Sequence, residues 1–93
     1  MSLIKNLKPA MKNLEIFGTV IKIENISTSY RTLAKAIIQD DSGKIILNLW
    51  GDQVNQCKIG DTIKITNAYT RSRFRILELN TWEKIQVINS NKG

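Results

Sequence analysis

The run Asp40-Asp41-Ser42-Gly43-Lys44-Ile45-Ile46-Leu47-Asn48-Leu49-Trp50 constrains this chain more than any other stretch. A turn signal feeds a strand in which Ile45, Leu47 and Leu49 alternate with Ile46, Asn48 and Trp50. Side chains two apart share one face of a sheet, so the aliphatic set enters a core. The other set carries an amide and an indole to the opposite face. A Trp at the exposed end of a half-buried strand is costly to leave bare. In a basic chain its fitting partner is flat and negatively charged.

The chain is basic. Lys+Arg number 14 against 8 Asp+Glu, a net charge of +6 over 93 residues. That length makes one domain, since domains run roughly 50 to 250 residues. An apolar fraction of 42% supplies a single modest core. The charge excess serves solubility or a polyanion, either nucleic acid or a membrane surface.

Several chemistries are excluded by composition. With no His there is neither a Ser/His triad nor a zinc site of the usual kind. Cys57 is the one cysteine, so it has no internal disulfide partner and reads as a small buried or half-buried apolar side chain. The carboxylates suit turns and caps: Asp40 and Asp41 open a turn, and Asp52 and Asp61 flank a short helix. They form no legible two-metal cluster, so the chain is not expected to be an enzyme and needs no cofactor. The opening Met1-Ser2-Leu3-Ile4-Lys5-Asn6 holds no long apolar run, which reads as an intracellular, cytoplasmic chain with no membrane partner.

Strand signals dominate the rest. Leu14 to Glu24 is rich in Ile, Val, Phe and Thr, and Gly18 within it predicts a bulge or sharp bend. Asn25 to Tyr30 is a polar loop, Arg31 to Gln39 a second strand, and Asp40 to Gly43 the turn into the third. Gly51 to Cys57 predicts about two helical turns with Asp52 as N-cap. Thr62 to Thr66 alternates as a fourth strand, and Arg73 or Phe74 to Asn80 forms a fifth. Trp82 to Ile88 extends it or adds a short sixth. Five short strands with one short helix between the third and fourth is the plan of an all-β, five-stranded OB-fold barrel, and the spacing alone also fits other small barrels.

The residues also carry a resemblance. Asn6-Leu7-Lys8-Pro9-Ala10-Met11 leads into the first strand. There follow Arg31-Thr32-Leu33, Ala36-Ile37-Ile38, Asp41-Ser42-Gly43, Leu47-Asn48-Leu49-Trp50-Gly51 and Ile59-Gly60-Asp61. Ile63 to Thr70 and Leu77-Glu78-Leu79-Asn80 complete the series. In that order they resemble the archaeal single-OB-domain single-stranded DNA-binding proteins, from about Leu7 to Ile88. More distantly they are similar to OB domains of replication protein A and to small animal single-stranded DNA-binding proteins. The resemblance implies a shallow groove across strands two to five, where aromatic rings stack on unpaired bases.

The resemblance implies roles for individual residues. Trp50 falls on the family's Trp at the end of strand three, and Tyr69 on a second stacking aromatic. A third family aromatic aligns to Arg73, with Phe74 one place later. The loop Asn25 to Tyr30 looks shorter than in relatives, Trp82 has no firm counterpart, and the tail many relatives use for protein contacts is missing. Strict alternation from Ile63 and Ile65 points Tyr69 inward. The resemblance points it into the groove, which requires a bulge near Asn67-Ala68.

Three of the four Arg residues, Arg71, Arg73 and Arg75, sit within five positions. The planar Arg fork donates two hydrogen bonds to one phosphate and also stacks on bases. Their simplest alternative use is a solvated loop. Asn48, on the Trp50 face, joins the candidate site. Arg31, Lys64 and Lys35 are weaker candidates for tracking a phosphate backbone. Lys5, Lys8, Lys12 and Lys92 read as solvated. Phe74, flanked by Arg on both sides, fits either a base platform or a cap on the barrel.

The expectation is a monomeric OB domain over residues 1–93 that binds single-stranded DNA without sequence preference. Its work is protecting strands in replication, repair or recombination at the nucleoid, beside replication or repair proteins. An RNA-binding OB domain and a protein-interaction OB module are the alternatives.

Overall fold

The computed structural model describes residues 2–90, and Lys92 lies outside the described residues. Its strands are β1 (Leu14–Asn25), β2 (Leu33–Asp40), β3 (Gly43–Trp50), β4 (Thr62–Arg73), β5 (Ile76–Asn80) and β6 (Gln86–Asn89). The sheet order is β1-β2-β3-β5-β4-β6, and a further β1–β4 pairing closes the first five into a barrel. All ladders are antiparallel except β3–β5. Trp82 to Ile88 thus contributes a short sixth strand against β4 rather than extending the fifth.

Closure depends on β1 serving two partners. Its first half pairs with β4 and its second half with β2. Gly18 lies where these pairings meet. A Cβ there would stand 3.3 Å from both the Gln39 carbonyl oxygen and Ile38 Cβ, so glycine permits the close approach of β2. The bulge itself falls between Val20 and Lys22, a few residues beyond the glycine that suggested it. Bulges bend a strand and raise its twist, as a small barrel requires.

Ile16, Val20, Ile38, Leu47, Leu49, Ile63, Ile65 and Leu79 fill the barrel and are fully buried. Ile45, Leu47 and Leu49 are all inside, as their alternation predicts. The turn into β3 is tied by Asp40. Its Oδ1 accepts the Ser42 and Gly43 N–H groups, and its Oδ2 accepts the Ile4 N–H at 2.9 Å. Burial would raise the Asp40 carboxyl, but the bond from the Ser42 hydroxyl, with these backbone bonds, holds it below its ordinary value.

The segment between β3 and β4 is a 3₁₀ turn, Gly51–Asn55, rather than a longer helix capped by Asp52. Trp50 occupies the N-cap position, and its backbone N–H donates to Gln53 Oε1 at 2.9 Å. Gln53 Nε2 donates onward to the Thr81 and Glu83 carbonyls, both at 2.8 Å. This clamp ties the end of β3 to the segment after β5 and so fixes the backbone beneath Trp50.

Candidate nucleic-acid interface

The outer face of β2, β3, β5 and the second half of β4 forms a groove. Trp50 lies at the end of β3, opposite Leu33 on β2, and is 40% exposed. Its indole Nε1 donates to Asn80 Oδ1 at 3.1 Å, which fixes the ring's edge to the groove floor. The Arg31 guanidinium stands 5.8 Å from the ring centroid, bringing positive charge to the indole.

The floor is a chain of polar side chains. Lys35 Nζ donates to Asn48 Oδ1 at 2.9 Å and to Glu78 Oε2 at 2.8 Å. Asn48 Nδ2 donates to Glu78 Oε1 at 2.9 Å and to Asn80 Oδ1 at 3.1 Å. Burial would raise the Glu78 carboxyl. The bonds from Lys35 and Asn48, with the charges of Lys35 and Arg73, outweigh it and hold the group below its ordinary value.

This network places two of the expected residues. Asn48 faces the groove side of β3 but is only 5% exposed, with its amide engaged by three neighbours. It forms part of the floor and lines the cavity beside Trp50. Lys35 is paired with Glu78, so its charge is already answered within the protein.

Tyr69 reaches the outer face because β4 changes phase. Ile63 and Ile65 are buried, then Ala68 and Thr70, with Asn67 as the extra residue between the two sets. The β1–β4 register breaks there, and Asn67 adopts φ 48°. Asn tolerates this left-handed conformation better than most residues. Tyr69 then stands opposite Asn80 and stacks on Trp82, with centroids 6.3 Å apart and an interplanar angle of 28°.

Trp82, which has no firm counterpart in the resemblance and is not among the expected site residues, joins Tyr69 here. It is 87% exposed and precedes β6, which begins only at Gln86. Glu83 Oε1 accepts the Thr66 hydroxyl at 2.7 Å, and Asn67 Nδ2 donates to Glu83 Oε2. Those bonds from Asn67 and Thr66 hold the Glu83 carboxyl below its ordinary value and anchor the Trp82 segment to the bulge.

Arg71 and Arg73 line a cavity of about 350 Å³ with Asn48, Trp50, Ser72, Glu78 and Asn80. The hairpin beyond them is tighter than expected, because β5 begins only at Ile76. Phe74 and Arg75 are the two turn residues, both with positive φ, 51° and 66°. Two consecutive positive φ values mark the type I′ turn, which suits strand twist but normally uses Asn and Gly. Phe74 is 86% exposed at the tip, so it does not cap the barrel. Arg73 stands 5.6 Å from its ring centroid.

Lys64 is not at the groove. It sits on the near side of the bulge, where β4 pairs with β1 and β6. Its Nζ lies 3.6 Å from Glu15 Oε2 and 5.8 Å from the Phe17 ring centroid. Lys64 and Tyr69 both face outward, but Lys64 lies on the stretch of β4 paired with β1 and β6, away from the β5-paired stretch that carries Tyr69.

A family described as single-stranded DNA binding protein Ssb-like, OB fold, matches residues 7–87. The chain belongs to this family. The Ssb-like chain is 28% identical over 94 residues to the single-stranded DNA binding protein Ssb of Saccharolobus solfataricus. That alignment covers 96% of the chain and 64% of the relative, so the chain spans under two thirds of that protein's length. Among solved structures, a hypothetical protein of Arabidopsis thaliana aligns with TM-score 0.80 and 18% identity, over 98% of this chain and 74% of that one. The replication factor A related protein of Methanobacterium thermoautotrophicum aligns with TM-score 0.74 and 24% identity, over 96% and 91%. At these identities the two structures show a shared fold and nothing further, while the OB designation comes from the matching family.

Proposed function

We propose that this chain binds single-stranded DNA without strong sequence preference, by stacking bases on Trp50 and on the Tyr69–Trp82 pair. Arg31, Arg71, Arg73 and Arg75 neutralise phosphates, and Phe74 at the hairpin tip offers a further apolar surface. The observation that carries this reading is the placement of Trp50 and the Tyr69–Trp82 pair along one Arg-lined face of the barrel. Every base has a flat face, so stacking contributes roughly 1–3 kcal/mol per base whatever the sequence. Such a protein acts as a monomer that covers single strands during replication, repair or recombination, in the cytoplasm at the nucleoid.

Tryptophan fluorescence tests the reading directly, since Trp50 and Trp82 both lie on the proposed path. Titration with single-stranded DNA is expected to quench emission at low salt. A matched duplex quenches it weakly. Matched RNA competing equally would move the assignment to an RNA-binding OB domain, whose stacking and charge requirements are the same. Unchanged emission with every nucleic acid would instead favour a protein-interaction module.

A further inference from the structure

A groove for a polyanion has no electrostatic use for a carboxylate at its bottom, yet Glu78 lies there. Its side chain is only 11% exposed and lines the same cavity as Trp50, Arg71 and Arg73. Lys35 and Asn48 each donate to one of its oxygens, which keeps the group ionised and fixes its orientation. A carboxylate oxygen accepts more than one hydrogen bond, so capacity remains on the cavity side.

Asn80 lies beside it, reached by the same Asn48 amide. Its Oδ1 is taken by Asn48 and by the Trp50 indole. Its Nδ2 has no protein acceptor among the described residues. The floor therefore offers an acceptor next to a donor. Because the Trp50 ring is tied edge-down to this floor, a base lying parallel to it turns its own edge toward Glu78 and Asn80.

We propose that Glu78 gives the groove a preference for cytosine over thymine, a refinement that rests on the single-strand binding proposed above. Cytosine carries an amino group at C4 beside the acceptor N3, the complement of the floor. Acceptance of the cytosine N4 hydrogen by a carboxylate is an established pairing. Thymine has a carbonyl in place of that amine, which a carboxylate repels. Its N3–H is set back between two carbonyls, and bringing it to Glu78 carries one of them along.

The test compares oligo(dC) with oligo(dT) of equal length at neutral pH and moderate salt, on the parent chain and on Glu78→Gln. The parent is expected to bind oligo(dC) about fivefold or more tightly, and Glu78→Gln to narrow that gap. A third oligomer built from 2′-deoxyzebularine, cytosine without its amino group, needs no protein variant and decides the matter if Glu78→Gln does not fold. It is expected to fall to the level of oligo(dT). Equal binding of oligo(dC) and oligo(dT), zebularine binding as tightly as cytosine, or undiminished discrimination by a folded Glu78→Gln would each overturn the proposal. Failure to bind any oligomer would overturn the single-strand reading instead.

Discussion

At the residue scale, the buried polar floor explains how a short barrel holds a large aromatic in place. Trp50 is fixed by one bond through Asn80, which in turn depends on Asn48, Glu78 and Lys35. The Glu78 carboxyl is depressed in the folded state, so its contribution to stability is present above the ordinary carboxylate value, about 4.3. It is lost as pH falls from there through the lower folded value. Acid titration of Glu78→Gln beside the parent should show the parent losing more stability across that window. Cys57 tests burial independently. Burial, with the nearby Asp61 charge, pushes its thiol up to about 11. Alkylation at neutral pH should be far slower than for an unfolded control, and a rate equal to the control's would place Cys57 at the surface.

At the element scale, the β4–β5 hairpin and the β4 bulge do most to shape the groove. Phe74 and Arg75 in left-handed conformations cost of order 1–3 kcal/mol each, against almost nothing for Asn and Gly in the same turn. Replacing Phe74→Asn and Arg75→Gly together should raise stability by about 2 kcal/mol or more, read as a higher denaturation midpoint. The same double variant should weaken binding to single strands, because the tip loses a ring and a charge. Stability gained with affinity unchanged would mean the tip takes no part in binding.

The alternation of Ile45 to Trp50 placed β3 and its two faces correctly, because that strand pairs without interruption. Tyr69 was ambiguous from period alone, since a single extra residue at Asn67 reverses every later side chain. The resemblance supplied the bulge that periodicity could not. Lys64 lies outside the groove for a different reason: it sits on the part of β4 that pairs with β1 and β6, a pairing that alternation does not reveal. Alternation gives Asn48 its face but not the partners that engage its amide. Trp82 has no firm counterpart in the resemblance, and its place beside Tyr69 depends on an irregular segment held by Glu83 and Gln53, bonds that have no periodic signature.

At the scale of the whole molecule, the net charge of +6 acts through its distribution. Arg31, Arg71, Arg73 and Arg75 are all exposed, and they gather at the Trp50 end and the hairpin end of the face. Lys5, Lys8 and Lys12 are exposed elsewhere. Each phosphate neutralised on a single strand adds about −0.7 to the slope of log affinity against log salt. Four Arg contacts therefore give a slope of about −2 to −3, and Arg71→Ala with Arg73→Ala should reduce it by about 1.4. Lys5→Gln with Lys8→Gln should leave it almost unchanged. A flat salt dependence in the parent chain would exclude phosphate contacts as a source of affinity.

The most direct measurement is the affinity of Trp50→Ala for a labelled oligo(dT), by fluorescence anisotropy, alongside circular dichroism to establish that the barrel is intact. Loss of one stacking platform should cost about 1–3 kcal/mol, a drop in affinity of about fivefold to a hundredfold. A folded Trp50→Ala chain that binds oligo(dT) as tightly as the parent would contradict the placement of single-stranded DNA in this groove.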